Sequence, residues 1–280
     1  MRILLTGANG FIGKNYLDRS INKSIHVMSR KPIHHPAIYD NYIGDLNDST
    51  FIKKVINNDF DAIIHCAWEG LPDRSASNNL KNLKLYRNLI DNIDTKSNIK
   101  NIFIGSCLEY GELTGTIKEN DTGINISDFG ATKLKIYKHV IENGLNFTWL
   151  RPFYLYGRNQ HKDALMQYLY RRFKNGQEIE LQNPNRAHDY IYVADLVDMI
   201  KRIEQTNTTN EIFNVGNGSS VSVAEITNLI SSLYGNGELF SAKISPVAIA
   251  DMNKAMEVLK WKPKYTLKMG VVETLEYAHD

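Results

Sequence analysis

Through the first half of the chain, short continuous apolar runs alternate with longer stretches of helical period. Residues 3–6, 25–28, 62–66, 102–105 and 147–150 are continuous, predominantly apolar runs rather than apolar at every second position, the pattern of parallel strands covered on both faces. Between them, residues 11–20, 48–57, 78–93 and 128–143 read as helices, with Asp48 as an N-cap and Asn143-Gly144 as a stop. This alternation predicts an α/β protein with a doubly wound parallel sheet. Beyond Gly157 the period loosens. A helix is expected near 163–173, a strand near 179–181, and a short α/β run from 190 to 215; a capping box at Ser222-Val-Ala-Glu225 opens another helix and Trp261-Lys-Pro263 closes a segment. The expected division is a sheet domain of residues 1–157 and 186–216, with a smaller interleaved lobe of residues 158–185 and 217–280.

Composition narrows the class. With 42% hydrophobic and 23% charged residues in 280, the chain can bury a sizeable core, and disordered, collagen-like and coiled-coil classes drop out. The 33 basic residues nearly balance 31 acidic ones and are scattered, which argues against a nucleic-acid partner. No apolar run approaches the roughly 20 residues of a membrane helix, and the N-terminus enters a Gly-rich turn without a cleavage pattern, so a cytoplasmic protein is expected. Cys66 and Cys107 form neither a disulfide framework nor metal-ligand spacing, and no metal site is expected.

The first chemistry lies at Thr6-Gly-Ala-Asn-Gly-Phe-Ile-Gly13, between the first strand and the first helix. Glycines there permit a tight turn and let backbone N–H groups approach a pyrophosphate, whose charge the helix N-terminus also favours. Gly7, Asn9, Gly10, Phe11, Ile12 and Gly13 are therefore candidate dinucleotide ligands, on a Rossmann-type domain. The segment after the second strand distinguishes the two nicotinamide dinucleotides. It reads Ser29-Arg30-Lys31, without an acid for the ribose 2′-hydroxyl, so Ser29 and Arg30 favour NADP(H), with NAD(H) the alternative if these charges are merely solvated. Asp45, beside Leu46, is either an adenine acceptor or a turn aspartate.

These features resemble the extended short-chain dehydrogenase/reductase family, especially its nucleotide-sugar branch. The resemblance also rests on Ile64-His-Cys-Ala67, Asn82, Gly105-Ser106 through Tyr110-Gly111, Gly130-Ala-Thr-Lys133, Leu150-Arg-Pro152 with Tyr156-Gly157, residues 189–195, Phe213-Asn-Val-Gly216 and Trp261-Lys-Pro263. It implies cofactor contacts from Cys66, Ala67, Trp68, Asn82, Lys133, Pro152 and Phe153. It also implies a catalytic Ser, Tyr and Lys. The Tyr exchanges a proton with the sugar oxygen, the Lys one helical turn later lowers the Tyr pKa, and the Ser orients the oxygen. Ser106 and Lys133 occupy two of these positions; the Tyr position is Phe129. Three readings stay open: an engineered Tyr-to-Phe change, a variant using another donor such as Tyr154, Tyr110, Cys107 or a water, or a non-catalytic cofactor-binding regulator.

Among the family's reactions, Ser106-Cys107-Leu108 lacks the Asp–Glu pair implied for dehydratases, and Cys107 lies one residue from the position implied for the double epimerases. An epimerase regenerates its cofactor and retains NAD, whereas a reductase draws on NADPH. Ser29-Arg30-Lys31 therefore favours NADPH-dependent reduction of a keto group on a nucleotide-linked sugar, in carbohydrate biosynthesis, with an NAD(P)-dependent nucleotide-sugar epimerase as the alternative. Substrate contacts are expected from Trp68 and Glu69 after the fourth strand, Phe153 and Tyr154 after the sixth, and from Cys107, Arg158, Arg186 and His188. Relatives place a diphosphate-binding Arg where this chain has His188, and a second near residues 244–247, where none stands; Arg186, Arg158 or Lys243 would then hold the anion. A homodimer is expected through the helices of residues 78–93 and 128–143, with Leu80, Leu83, Tyr86 and Ile136 on their outer faces.

Overall fold

A parallel strand covered on both faces reads as a nearly continuous apolar run, and β1 (Ile3–Thr6) and β4 (Ala62–His65), polar only at Thr6 and His65, are buried along their whole length. The computed structural model describes residues 1–20, 24–95, 98–241 and 247–276. After β1 come α1 (Phe11–Asp18), β2 (Ile25–Ser29), β3 (Ile38–Ile43), α2 (Ser49–Ile56), β4, α3 (Ala76–Asp91) and β5 (Lys100–Ile104). A 3-10 turn, Cys107–Tyr110, and β6 (Gly115–Ile117) precede α4 (Asp128–Glu142), β7 (Phe147–Pro152) and β8 (Tyr154–Tyr156). Then follow α5 (Leu165–Lys174), β9 (Ala187–His188), β10 (Tyr190–Tyr192), α6 (Val193–Glu204) and β11 (Glu211–Val215). The last elements are β12 (Val221–Ser222), α7 (Val223–Leu233), β13 (Ala248–Ala250), α8 (Asn253–Leu259) and α9 (Leu267–Glu276).

Seven strands form the main sheet in the order β11-β7-β5-β4-β1-β2-β3. Every pairing from β3 to β7 is parallel. The chain winds outward from β1 to β3, returns, and continues the other way from β4, so the order reverses between β1 and β4. In such sheets the crevice for a ligand opens at the carboxyl ends of those two strands. One face of the sheet, with Leu4, Met28, Ile63, Phe103 and Trp149, packs against Ile52, Val55, Leu85, Leu89, Ile136 and Val140 of α2, α3 and α4.

The helix ends follow their sequence signals. The Asp48 carboxylate accepts from the N–H groups of Thr50 and Phe51, Gly144 has φ +65° after Asn143, and Ser222 and Glu225 close their capping box. Residues 179–181 are irregular rather than a strand, since Ile179 sits between the exposed Glu178 and Glu180 and has no neighbouring strand to pair with. The outer-face assignment also changes. Leu83, Tyr86 and Ile136 are buried in the core, and of the four only Leu80 is exposed.

The chain divides into two compact units, one of Met1–Glu112, Thr122–Arg151 and Val197–Phe213, the other of Leu113–Asp121, Pro152–Leu196 and Asn214–Asp280. The second thus takes in β6, β8 and residues 189–196, which the sequence division placed with the sheet. Within it, the buried Asp189 carboxylate accepts from the N–H groups of Asn217, Gly218 and Ala250 at 2.7, 3.0 and 2.9 Å. Asp195 accepts from Lys264 and Tyr265. Both acids of the 189–195 motif therefore fasten later segments of the chain by satisfying backbone donors. Among the described residues no helix is long and apolar enough to cross a membrane.

Candidate functional site

The turn after β1 is shaped by glycines that nothing larger can replace. Gly7 has φ +72°, and a Cβ there would stand 2.5 Å from the Cys66 carbonyl and the Ala67 nitrogen. The Gly10 N–H donates to the Gly7 carbonyl at 2.9 Å, and a Cβ on Gly13 would run into that same carbonyl. Gly10 then caps α1 without any side-chain hydrogen bond, so Phe11 and Ile12 begin a helix whose first N–H groups are left for an anion.

This turn is one wall of a cavity of about 690 Å³, within the size range of ligand sites. Gly7, Asn9, Gly10, Ser29, Arg30, Asp45, Leu46, Cys66, Ala67 and Trp68 all line it. The glycine cradle and the helix start fit a dinucleotide pyrophosphate. At the other end, Arg30 Nη1 lies 2.7 Å from Glu69 Oε1, another lining residue. Ser29 Oγ donates to the Lys31 carbonyl. Asp45 accepts from the backbone and side-chain amides of Asn47, a turn role for one carboxylate oxygen. Asn82 is buried behind the wall, its amide hydrogen-bonded to both backbone groups of Glu69 and to the Asn78 carbonyl, so it holds the 67–70 loop.

Trp68 joins this cavity to the predicted catalytic positions. Its ring lies 3.9 Å from Lys133 Nζ and 5.1 Å, edge on, from the Phe129 ring. Lys133 is buried on α4 and donates to the Ile104 carbonyl at 2.7 Å. Burial lowers its proton affinity, against the opposing pull of Glu109. Phe129 is packed in, with the Arg74 guanidinium 5.0 Å over its ring. Ser106 ends the stretch after β5; its Oγ accepts from the Leu108 N–H, which leaves its own proton to donate.

Sequence reasoning missed the pair beneath Ser106. Glu109 is buried and accepts from the Ser106 N–H at 2.7 Å, Arg151 Nε at 2.7 Å and Trp149 Nε1 at 3.1 Å. Burial pushes its carboxyl up while Arg151 and the other donors hold it down. Arg74 was missed too, for it belongs to no motif, and Glu69, expected as a substrate contact, pairs with Arg30 on the cofactor cavity wall. The available signal was an acid at 109 among apolar neighbours and a lone Arg in the apolar run 147–152.

Other expected residues serve elsewhere or differently. Tyr110 is buried under the Arg151 guanidinium, 4.6 Å over its ring, which makes it a packed aromatic. Burial pushes the Cys66 thiol up to about 12 and makes it inert. Cys107 lies in the 3-10 turn. Pro152 ends β7, and Phe153 is buried with its N–H on the Val215 carbonyl. In the second unit the Tyr154 and His188 rings stack at 3.5 Å, and burial with Arg186 nearby lowers His188 to about 4, so it is neutral. Arg186 is exposed, Arg158 partly so. Lys243 and residues 244–246 lie outside the described residues.

Residues 3–216 match the family model described as the NAD dependent epimerase/dehydratase family. An uncharacterised UDP-glucose epimerase of Bacillus subtilis is 26% identical, over 99% of this chain and 98% of the relative. The dTDP-4-dehydro-6-deoxyglucose reductase of Escherichia coli is 25% identical over 96% and 95%. The crystal structure of UDP-glucuronic acid 4-epimerase from Bacillus cereus in complex with NAD superposes with a TM-score of 0.86 at 20% identity, covering 99% of this chain and 98% of that one. The NAD-dependent family and the NAD complexes among its structural neighbours overturn the expectation of NADP(H). The physical reason is Glu69. The guanidinium read as a 2′-phosphate receptor is paired with a carboxylate on the same wall, which repels a phosphate and suits a ribose hydroxyl.

Proposed function

The chain belongs to the NAD-dependent epimerase/dehydratase family, and from that premise we propose that it is an NAD-dependent epimerase inverting a hydroxyl-bearing carbon of a nucleotide-linked hexose or hexuronic acid. At the coarser level it is a nucleotide-sugar-modifying enzyme. The observation that carries the reading is the shared wall: Trp68 lines the dinucleotide cavity and also lies against Lys133 and Phe129, so cofactor and proton chemistry meet at one residue.

When bound, NAD supplies a reversible hydride acceptor. Gly7 and Gly10 would cradle its pyrophosphate, and the loop held by Asn82 keeps Trp68 in place. Ser106, with its oxygen occupied by the Leu108 N–H, directs its proton at the sugar oxygen. Phe129 moves no proton. In this reading Lys133 takes the proton instead, because its desolvated amine gives up its charge more readily than an exposed lysine would. The homodimer remains part of the reading, now resting on Leu80 of α3 and Ile141 of α4, both exposed.

The test is incubation of the purified protein and NAD with UDP-glucose and with UDP-glucuronic acid, followed by proton NMR. Appearance of the C4 epimer without net NADH supports the reading. Tight NAD binding with neither epimer nor absorbance at 340 nm defeats it. A second reading, reduction of a 4-keto sugar, is favoured by the likeness to the E. coli reductase. It predicts stoichiometric consumption of NADH by a dTDP-4-keto-6-deoxy sugar.

A further inference from the structure

We infer that Glu109, clamped by Arg151 and Trp149, is the positioning residue that aims Ser106, so that the buried ion pair serves the reaction rather than the fold alone. The inference rests on the enzymatic reading above. Ser106 stands at the end of a segment held at each residue. The Ile104 carbonyl takes the Lys133 ammonium at 2.7 Å, the Gly105 N–H donates to the Leu150 carbonyl at 2.6 Å, and the Ser106 N–H donates to Glu109 at 2.7 Å. Glu109 in turn cannot drift. Its carboxylate is wholly inaccessible, and it is met by Arg151 Nε at 2.7 Å and by Trp149 Nε1 on both oxygens at 3.1 Å.

Two glycines transmit that fixity. A Cβ on Gly105 would collide with Trp149 Nε1 and Glu109 Oε1, so the segment lies directly on the clamp. A Cβ on Gly130 would collide with the Leu108 carbonyl, so α4 seats on the 3-10 turn one residue after Phe129. Ser106 and position 129 are thus referenced to one rigid turn, and Glu109 closes that turn as the second half of a capping box with Ser106. Replacing a buried ion pair by apolar side chains is often neutral for stability, so folding alone gives weak reason to keep one here. An acceptor aimed at the backbone of the residue that must orient a substrate oxygen gives a stronger one.

The test compares Glu109→Gln with Glu109→Met in the full chain loaded with NAD. Gln keeps an acceptor for the Ser106 N–H; Met removes it. Positioning predicts kcat within about fivefold of wild type for Gln and lowered about a hundredfold for Met, at unchanged KM and NAD occupancy. Amide hydrogen exchange at Ser106 should quicken in Met and not in Gln. Equal kcat in the two folded variants, or unchanged Ser106 exchange in Met, overturns the inference. If Glu109→Met does not fold, Arg151→Lys takes its place: it keeps the charge but loses the planar fork. Faster Ser106 exchange with lowered kcat there supports the inference, and wild-type values for both overturn it. Absence of turnover in the wild type itself defeats the enzymatic reading, and the exchange data then decide on Glu109 alone.

Discussion

Backbone shapes the cradle at residues 7–13, where three glycines leave room for a pyrophosphate and side chains contribute little. The shelf that carries Ser106, Phe129 and Lys133 is the reverse case: it is held by side chains from β7, α4, the 3-10 turn and the loop after β4, and a buried acid lies at its centre. The cradle has one local solution and little tolerance. The shelf has many partners, and one of its members, Phe129, carries no ionisable group. A site made of backbone is therefore read from spacing, while a site made of side chains is read only from contacts.

The sharpest way to break this contrast is Phe129→Tyr. The pocket around the ring is otherwise complete, with Trp68, Lys133 and Arg74 in contact, so a hydroxyl adds a proton carrier without rebuilding anything. Turnover of the accepted nucleotide sugar should rise by about 10²- to 10⁴-fold in steady-state assays, the usual worth of a positioned acid–base group. Unchanged turnover would mean that the shelf works through Lys133 as it stands.

On the cradle side, Gly7→Ala forces a residue with a side chain to φ +72° and into the Cys66–Ala67 backbone. It should cost about 3 kcal/mol or more in urea unfolding and abolish measurable NAD binding. A variant that binds NAD as wild type would show that the cradle is more tolerant than its geometry implies.

These two regions also explain what could be read in advance. The parallel sheet, the glycine turn and the Asp48 and Ser222 caps are local or periodic features, and the sequence carries them openly. Glu69 and Glu109 are not local. Glu69 meets Arg30 from another strand end, and Glu109 meets Arg151 across 42 positions. No spacing rule predicts either, and the first of them misdirected the cofactor assignment. Leu83, Tyr86 and Ile136 were misplaced for a related reason, since a helix with apolar residues on most sides does not announce which side faces the core.

A further prediction concerns the strand that leads to both regions. His65 is fully buried at the end of β4, stacked on Phe103 at 4.1 Å and hydrogen-bonded to Asn101, and burial lowers it to about 4. The unfolded chain binds this proton below about 6.5 and the folded chain only near 4, so stability falls as pH drops through that window, by about 3 kcal/mol. Urea titrations at pH 7 and pH 4.5 measure the slope, and His65→Phe should flatten it. An equally steep slope in that variant would assign the effect to other groups.

The smallest expected effect tests the wall that corrected the cofactor. Arg30 is largely exposed and its pair with Glu69 is partly open to solvent, so the ion pair alone is worth at most about 1 kcal/mol. Its consequence for a 2′-phosphate is larger than its contribution to folding, because the carboxylate both occupies the guanidinium and repels the phosphate. Glu69→Gln removes the charge and frees Arg30 while keeping the backbone groups through which Asn82 holds the loop. The ratio of NADP to NAD affinity, from titration of intrinsic fluorescence at low salt, should rise roughly three- to tenfold. Raising the salt should shrink that gain, since the pair lies within reach of screening ions. A ratio that stays fixed would place the discrimination in the shape of the wall formed by Ser29, Gly44 and Leu46 rather than in its charge.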